Sequence, residues 1–358
     1  MEKKTAMWIT VNRACNIRCK WCYAKDANYC SNDQMVIGDA KKIIEFASEM
    51  NIGRIIIIGG EPTIYPSILE LVKYIKGKGI RSTIVSNGIV FSDAALLQQY
   101  LDAGIDDFSI SIKANSRKEY IETTGVDCYD RLVKAIRNLR DKNAQFSVSQ
   151  VLTRENIATF CQGIEDFKKA GAENFSFSFC YNFNCSSNIN EDFIANNNPY
   201  ILAELFKRHY PMIEKSLNGC KYSFSQGLPL CVWDYDFICD LAKKRVVNSI
   251  CQLLSGGGIL FDTDLSLIPC NAMFQLKYGK FGIDFSNKQS FYSLLEKREV
   301  KDMFALLKGI PDLQCLKCDK AQYCGGGCVT NWTNYSFYEL QTTLKNEYIL
   351  WLSNNGEV

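Results

Sequence analysis

Three cysteines stand close together near the start of the chain, in the segment CNIRCKWC: Cys15, Cys19 and Cys22. Thiolates on one short loop can hold three irons of a cubane, and a four-iron cluster normally takes four cysteines. One iron would then stay open for another molecule. The alternative is a structural zinc site, for which spacings of three and two residues between cysteines are atypical.

Cysteine is the unusual component of this sequence. The chain has 358 residues, of which 17 are cysteine and one is histidine. An odd number of cysteines argues against a closed set of disulfides, and clustered cysteines in a reducing cytosol bind metal. With almost no histidine, the ligands would be nearly all sulfur, as in zinc sites and iron–sulfur clusters.

Composition and charge exclude several other classes of protein. The net charge of +2 gives no reason to expect nucleic acid as a partner. The longest purely aliphatic run, 55–58, is far too short to cross a membrane, and no signal-peptide core follows Lys3 and Lys4. We therefore expect a cytoplasmic protein that binds neither nucleic acid nor a membrane.

Short β-rich runs alternate with helical patterns in the first half of the chain. Strands are predicted at 7–11, 54–58, 82–85, 107–113, 145–152 and 174–181. Helices are predicted at 39–50, 67–78, 93–103, 131–142 and 156–170, and later at 200–217 and 336–352. Such alternation implies a parallel sheet, and six units are two short of a complete eight-stranded barrel. The sequence therefore predicts an α/β protein built on a partial (β/α)6 barrel.

Three of these strands pair an apolar face with a face of small polar residues. Side chains alternate along a strand, so the polar faces consist of Ser109, Ser111 and Lys113, of Ser147 and Ser149, and of Ser176, Ser178 and Cys180. Because the apolar faces should meet the helices, we expect the polar faces to line a cavity. Exposure to solvent in an antiparallel sheet is the alternative.

The first cysteine motif resembles that of the radical SAM enzymes. The spacing Cys15–x3–Cys19–x2–Cys22 matches their defining motif, including an aromatic residue, Trp21, before the last cysteine. The resemblance implies a [4Fe–4S] cluster whose open iron is chelated by S-adenosylmethionine (SAM). One electron would cleave SAM to a 5′-deoxyadenosyl radical, and Trp21 would pack near the adenine.

Further matches follow in the order that this family shows, over residues 5–180. The resemblance implies that these residues bind SAM: Gly59, Gly60, Glu61 and Pro62 of a GGE motif at the methionine amino group, Ser86 and Asn87 in the pocket, Ser111 at the ribose, and Val151, Leu152 and Thr153 beside the adenine. One stretch departs from the pattern. Lys113 and Ala114 stand where many relatives have an acidic residue and a glycine.

Cysteines recur near the end of the chain with a spacing that is hard to obtain by chance: Cys315–x2–Cys318–x5–Cys324–x3–Cys328, preceded by Cys251 and Cys270. This region resembles the SPASM domain, which holds auxiliary iron–sulfur clusters. It departs from the usual pattern at Leu265, where a glycine is usual, and in having no cysteine after Cys328. A four-cysteine zinc knuckle at 315–328 is the alternative.

The resemblance also implies how these cysteines divide between one or two auxiliary clusters. Cys251, Cys270 and Cys328 would share the first cluster, which an upstream thiol, Cys231 or Cys239, would complete. The second cluster would be held by Cys315, Cys318 and Cys324. Its fourth iron would be open, or bound by an oxygen ligand such as Asp319, or by a stray cysteine.

We therefore predict four segments. They are a radical SAM partial barrel at 1–185, a linker or bridging region at 186–245, a small Cys-rich SPASM-like auxiliary-cluster domain at 246–335, and a C-terminal helix at 336–358.

Enzymes with both parts often modify peptides. The resemblance thus implies hydrogen abstraction from a ribosomally synthesised peptide, with a thioether or C–C crosslink or another modification as the product. Cys180, at the end of its strand, would donate hydrogen to a substrate radical. A flavodoxin- or ferredoxin-type protein would supply electrons, and, because the first strand begins near residue 7, the leader would bind elsewhere or on a separate protein.

Two other classes of function stay open at this point. Within enzymes, they are sulfatase-type protein oxidation and small-molecule dehydrogenation. Outside catalysis, the cysteines would serve an electron-transfer or zinc-binding scaffold.

Overall fold

Eleven strands form one sheet in the computed structural model, which describes residues 5–24, 27, 30, 32–180, 197–225, 227–248, 251 and 255–355. The strands are β1 (Ala6–Thr10), β2 (Arg54–Ile58), β3 (Arg81–Ser86), β4 (Asp107–Ile112), β5 (Phe146–Leu152), β6 (Asn174–Phe179), β7 (Lys221–Ser225), β8 (Val247–Asn248), β9 (Gly258–Phe261), β10 (Ser266–Leu267) and β11 (Gly279–Lys280). Their order is β11-β10-β9-β1-β2-β3-β4-β5-β6-β7-β8.

The six predicted strands are confirmed as consecutive parallel neighbours, β1 to β6. The parallel part is larger than the predicted six units, however. Strands β7 and β8 extend it beyond β6, and β9 pairs with β1 at the opposite side. Strand β7 is as long as β1 and has an alternating pattern, so periodicity could have indicated it. Strands β8 and β9 have only two and four residues, too few for a periodic signal. Strands β10 and β11 are antiparallel additions.

In the described part of the chain, eight helices connect the parallel strands β1 to β8, and three more lie between β11 and the C-terminal helix. They are α1 (Ile37–Glu49), α2 (Ile68–Gly77), α3 (Ala94–Ala103), α4 (Arg117–Thr124), α5 (Tyr129–Asp141), α6 (Phe160–Ala170), α7 (Pro199–Ser216), α8 (Tyr235–Lys243), α9 (Lys288–Glu296), α10 (Arg298–Leu307) and α11 (Ala321–Cys324). The C-terminal helix α12 combines Phe337–Glu339, a π-helical turn at Leu340–Leu344, and Lys345–Asn355.

All seven predicted helices are present, whereas α4, α8, α9, α10 and α11 were not predicted. Helix α4 shows why. It reads RKEYIETT, and only Tyr120, Thr123 and Thr124 of it are buried, so it has no apolar stripe. Local signals at α3 behaved as expected, since the Asp93 side chain accepts hydrogen bonds from Ala95 N and Leu96 N at 2.8 and 3.2 Å.

One face of the sheet packs against these helices. Met7, Ile9, Ile55, Ile57 and Ile84 are fully buried in this core. Consecutive strand residues point to opposite faces, so the serines of β4, β5 and β6 lie on the other face. The sheet thus separates an apolar core from a polar surface. None of the described helices is long and apolar enough to cross a membrane.

The four predicted segments stay a prediction. The structure adds that β7 and β8, and also β9 to β11, belong to the same sheet as β1 to β6 although they follow residue 185. Residues 181–196, which include the start of the predicted linker at 186–245, lie outside the described residues.

Candidate active site

The three N-terminal cysteines, Cys15, Cys19 and Cys22, lie on the loop that follows β1. Backbone hydrogen bonds fix this loop to the end of α4, from Arg18 N to Thr124 O at 2.9 Å and from Lys20 N to Thr123 O at 3.1 Å. Within the loop, Cys22 N donates to Cys19 O at 3.2 Å. A helix that sequence patterns did not indicate therefore supports the strongest sequence motif.

The thiols of this loop are close enough to influence one another. Burial raises the pKa of Cys19 to about 12; Lys113 opposes this shift, and Cys22 and Cys15 add to it. Burial likewise raises the pKa of Cys15, with Lys113 again opposing. The raised pKa means that the free thiolate is unfavourable in this water-poor site. Binding to iron removes that penalty, because iron replaces the proton of each thiol and balances the charge of the thiolate.

No three Cys, His, Asp or Glu side chains among the described residues are arranged to hold a single metal ion. Each thiolate of a cubane binds a different iron, so cluster ligands stand further apart than the ligands of one ion.

The second strand meets the cysteine loop at two glycines. Gly60 N donates to Asn12 O at 2.8 Å. A Cβ atom on Gly60 would stand 2.3 Å from Ala14 O, and one on Gly59 would stand 2.1 Å from Asn12 Oδ1. Both positions need glycine because the two backbones touch.

Glu61 is a buried brace between the ends of β2 and β3. Its Oε1 accepts from Ser86 Oγ at 2.8 Å and from Thr63 N and Oγ1 at 3.1 and 2.7 Å. Its Oε2 accepts from Asn87 N at 2.7 Å. Pro62 opens the short 3-10 turn that Glu61 caps. The carboxylate is thus engaged within the protein.

Asn87 links the end of β3 to the cysteine loop. Its Nδ2 donates to Asn16 Oδ1 at 2.7 Å, and its Oδ1 accepts from Ile89 N at 3.1 Å. Trp21 lies half-buried on the same loop. The structure therefore brings the predicted residues of the cysteine loop, the GGE motif and the end of β3 to one edge of the sheet.

A cavity of about 180 Å³ lies over the polar face of the sheet. The pairing register puts small residues side by side on neighbouring strands, Ser111 with Ser149, Ser149 with Ser176, Ser176 with Ser223, and Ser178 with Ser225. The lining residues are Ser111, Ser149, Gln150, Val151, Ser176, Phe177, Ser178, Ser223 and Ser225. Of the predicted polar faces, four members line the cavity: Ser111, Ser149, Ser176 and Ser178. The others are not among its lining residues: Ser109, Lys113, Ser147 and Cys180. The strands pair in parallel, so the alternative of an antiparallel sheet is wrong.

Ser223 and Ser225 were missed by the sequence reading. The signal was available, because KYSFS in β7 repeats the alternation of NFSFSF in β6. At the other side of the cavity, Lys113 Nζ donates to Ser111 Oγ at 2.5 Å. Lys113 therefore lies between the cavity and the thiols of Cys15 and Cys19.

Two predicted site residues, Leu152 and Cys180, are buried. Leu152 is fully buried in the apolar core, on the same face of β5 as Val148, whereas its neighbour Val151 lines the cavity. Alternation along the strand favours Val151 as the side chain that faces a ligand. Cys180 is buried directly after β6, and its backbone N donates to Leu152 O at 2.8 Å. Its predicted role stays a prediction.

The first C-terminal group consists of Cys251, Cys270 and Cys328. Burial raises the pKa of Cys270 to about 12, and the neighbouring thiols of Cys328 and Cys251 raise it further. These three cysteines are the ones predicted to share the first auxiliary cluster, and that assignment stays a prediction. A zinc knuckle at 315–328 would need Cys328 beside the other three cysteines of that segment.

Tyr23 connects this group with the N-terminal loop. It interacts electrostatically with both Cys22 and Cys270, and burial raises its pKa. A buried ion pair between Arg13 and Asp262 ties the cysteine loop to the residues after β9, and the Arg13 guanidinium lies 4.2 Å from the centre of the Phe274 ring. The two cysteine regions are thus joined by packed side chains.

The second C-terminal group is Cys315, Cys318 and Cys324, and Cys231 lies beside it. All four line a cavity of about 140 Å³. Removal from water and the neighbouring thiols of Cys324 and Cys315 raise the pKa of Cys231 to about 11. The expectation that Cys231 completes the first group is therefore not met, because the chain after β7 runs along the second group instead.

The other two candidates for a missing ligand lie elsewhere. Cys239 hydrogen-bonds to Tyr235 and does not line the cavity. The Asp319 carboxylate stands 3.9 Å from Cys318 Sγ, within the geometry of a weak hydrogen bond to that thiol.

Residues 9–167 match the family model of the Radical SAM superfamily. The chain therefore contains a radical SAM domain, in the segment that carries β1 to β5 and the N-terminal cysteines.

Curated relatives match over the same part. The chain is 28% identical over 151 residues to an AdoMet-dependent heme synthase of Oleidesulfovibrio alaskensis, which is 42% of this chain and 39% of that protein. It is 26% identical over 167 residues to a probable GTP 3′,8-cyclase of Metallosphaera sedula, which is 46% of this chain and 52% of that protein. The chain thus spans about 39 to 52% of the length of these relatives.

Solved structures match over nearly the whole chain. Streptococcus suis SuiB bound to S-adenosylmethionine has a TM-score of 0.70 at 16% identity, over 93% of this chain and 74% of that one. Native anSMEcpe with bound AdoMet has a TM-score of 0.67 at 16% identity, over 98% of this chain and 100% of that one. At this identity the likeness confirms the fold: an α/β radical SAM fold on a parallel sheet.

Proposed function

We propose that this protein is a radical SAM enzyme that abstracts hydrogen from a peptide. The product is a thioether or C–C crosslink, or another modification, in a ribosomally synthesised peptide. The observation that carries the proposal is the serine-lined cavity and its link to the N-terminal loop. Lys113 makes that link, because it donates to Ser111 and acts on the thiols of Cys15 and Cys19.

The bound cluster and SAM would supply a 5′-deoxyadenosyl radical as the hydrogen-abstracting group. Cys15, Cys19 and Cys22 would hold three irons. Glu61 keeps the ends of β2 and β3 in register through its bonds to Ser86 and Asn87. Because the Glu61 carboxylate is already engaged, the methionine amino group would meet backbone carbonyls of this motif.

The cavity lining favours a peptide over a nucleotide. Serine hydroxyls both donate and accept hydrogen bonds, as the alternating N–H and C=O groups of an extended peptide require. A nucleoside triphosphate needs several cations, and the residues described as lining the cavity include no Arg or Lys. Lys113, which reaches Ser111, supplies one positive charge, enough for a single carboxylate of a peptide.

The likeness to solved proteins is compatible with this substrate class. SuiB has been solved with its precursor peptide SuiA, at 16% identity to this chain, and anSMEcpe with a Cp18Cys peptide, also at 16% identity. We further propose that the C-terminal cysteines hold auxiliary iron–sulfur clusters and that a flavodoxin- or ferredoxin-type donor supplies the electron.

The test uses full-length protein purified and reconstituted without oxygen. With SAM and a strong reductant, we expect 5′-deoxyadenosine, and none from a Cys15→Ala/Cys19→Ala/Cys22→Ala variant. Zinc in place of iron, with no deoxyadenosine, would identify a scaffold instead.

The substrate class is tested separately. Short peptides encoded beside the gene are incubated with the reconstituted enzyme and analysed by mass spectrometry. A crosslink joins two side chains, and the peptide loses hydrogen atoms but is not cleaved. Sulfatase-type oxidation instead converts one side chain to an aldehyde. Turnover of a small alcohol or of GTP, with unchanged peptides, would overturn the peptide proposal.

A further inference from the structure

We infer that Cys231 is the fourth cysteine ligand of an iron–sulfur cluster held by Cys315, Cys318 and Cys324. The inference rests on the proposed function only in taking the occupant to be an iron–sulfur cluster. It assigns a ligand from upstream of the group, where the sequence resemblance left this position open.

The chain after β7 brings Cys231 to this place. Gly227 O accepts hydrogen bonds from Cys328 N at 2.7 Å and from Asn331 Nδ2 at 2.8 Å. Three residues later, Leu230 N donates to Cys324 Sγ at 3.2 Å. The segment 227–231 is therefore fixed along the cysteine loop at both of its ends, and Cys231 follows directly after the contact to Cys324.

Glycines in the loop make this approach possible. Gly325, Gly326 and Gly327 have φ angles of 54°, 76° and 73°. A Cβ atom on Gly327 would stand 2.7 Å from Gly227 O and 2.8 Å from Pro229 N. This left-handed run turns the backbone between Cys324 and Cys328, so that the two cysteines join different groups and segment 227–231 packs against the turn.

The four sulfurs surround one cavity. Cys231 keeps an accessible surface and lines a cavity of about 140 Å³ together with the three other cysteines. Gln341 Nε2 donates to Cys231 Sγ at 3.5 Å, as an amide does to a cluster thiolate. Apolar residues, among them Pro311 and Trp332, form much of the remaining lining, as suits a cluster shielded from water.

Four thiols at one cavity complete the usual ligand set of a cubane. Each thiol releases its proton to solvent when its sulfur binds iron, and no electron is transferred in that step. The geometry also disfavours the other candidates, because Cys239 bonds to Tyr235 and the Asp319 carboxylate is adjacent to a thiol that already belongs to the group.

The test compares full-length wild type with Cys231→Ala, Cys231→Ser and the matched control Cys239→Ala, all prepared without oxygen. Iron, sulfide and zinc are counted per chain, and the clusters are examined by EPR and Mössbauer spectroscopy. If all three cysteine groups hold cubanes, wild type contains about twelve irons. We expect Cys231→Ala to lose between about one and four of them and Cys239→Ala to lose none.

Cys231→Ser keeps the inference testable if the alanine variant folds poorly. The serine oxygen can bind iron, so this variant should retain iron while the spectrum of one cluster shifts. Wild-type iron and spectra in both Cys231 variants would overturn the inference, and so would zinc bound in a Cys231-dependent manner. Absence of deoxyadenosine from wild type, with iron that depends on Cys231, would refute the proposed function and leave this ligand assignment standing.

Discussion

The N-terminal cysteine loop and the C-terminal cysteine region bring sulfurs together in different ways. In the N-terminal loop, all three cysteines are neighbours in sequence, and the ends of β1, β2 and α4 fix the loop from outside. In the C-terminal region, Cys324 and Cys328 are near in sequence yet belong to different groups. Cysteines from distant parts of the chain, among them Cys231 and Cys270, lie beside them.

This difference separates two ways of building a site. A motif whose cysteines are neighbours in sequence needs only a rigid structure that holds its loop, and the edge of the parallel sheet provides that structure. Interleaved groups need several chain segments to meet at once, and here three consecutive glycines permit the meeting. We therefore expect the two regions to fail independently when their glycine contacts are altered.

Gly60→Ala should cause the largest loss, confined to the N-terminal loop. Its Cβ would stand 2.3 Å from Ala14 O and 2.4 Å from Arg13 O, so the two backbones must separate. Displacement of about 1 Å at a reacting site can cost on the order of 100-fold in rate. We expect deoxyadenosine formation to fall at least that far, while iron in the C-terminal groups stays. Gly77→Ala, with open space around its Cβ, is the control; wild-type activity in Gly60→Ala would contradict this account of the motif.

Gly327→Ala should produce the opposite pattern. Its Cβ would clash with Gly227 O and Pro229 N, which separates segment 227–231 from the cysteine loop. We expect a loss of about four to eight irons per chain, while the EPR change on adding SAM, which reports the N-terminal cluster, is retained. Gly79→Ala is the matched control, because Gly79 has a φ of 69° but open space around it. If both variants lost the same amount of iron, backbone strain alone would explain the loss, and the contact between segment 227–231 and the cysteine loop would not be needed.

Much of the fold was predictable from the sequence, and the reasons are local. Strands β1 to β6 have strong alternation or buried aliphatic runs, and the helices between them have apolar stripes. Strands β8 and β9 are short, and the polar helix α4 has no apolar stripe. Only tertiary contacts therefore define these three elements. Leu265 is instructive, because it has a φ of 69° at the position where the resemblance expects glycine. The residue departs from the pattern, but the backbone conformation suits a glycine.

The site divides along the same line. Spacing alone predicted the N-terminal loop, and alternation alone predicted the serine-lined cavity. The place of Cys231 was not predictable, because it depends on how the chain after β7 crosses the cysteine loop. The bracing role of Glu61 was hidden for a similar reason, since its partners Ser86 and Asn87 come from the next strand.

Glu61→Gln should have an intermediate effect on the N-terminal region. Oε1 accepts from Thr63 N and Oε2 from Asn87 N, so in either orientation the new amide group turns an N–H toward a backbone N–H. A buried donor without a partner costs about 1–3 kcal/mol. We expect chemical unfolding to show that loss, and deoxyadenosine formation to fall several-fold. Glu70→Gln, which breaks only an exposed ion pair with Lys41, should change the free energy of unfolding by less than about 0.5 kcal/mol.

Lys113→Met should have the smallest effect and the most specific one. Lys113 opposes the rise in the pKa of Cys15 and Cys19, so its charge acts on the sulfurs of the N-terminal loop. Reduction adds negative charge to a cluster there, and a nearby cation stabilises the reduced form. At an effective dielectric constant near 20, removing that cation costs about 1 kcal/mol, which lowers a one-electron potential by roughly 40 mV. A potentiometric EPR titration would measure the shift.

Lys113→Arg should restore the potential because it keeps the charge. The C-terminal clusters should keep their wild-type potentials in both variants. A potential that is the same in Lys113→Met as in wild type would mean that solvent screens this lysine from the cluster.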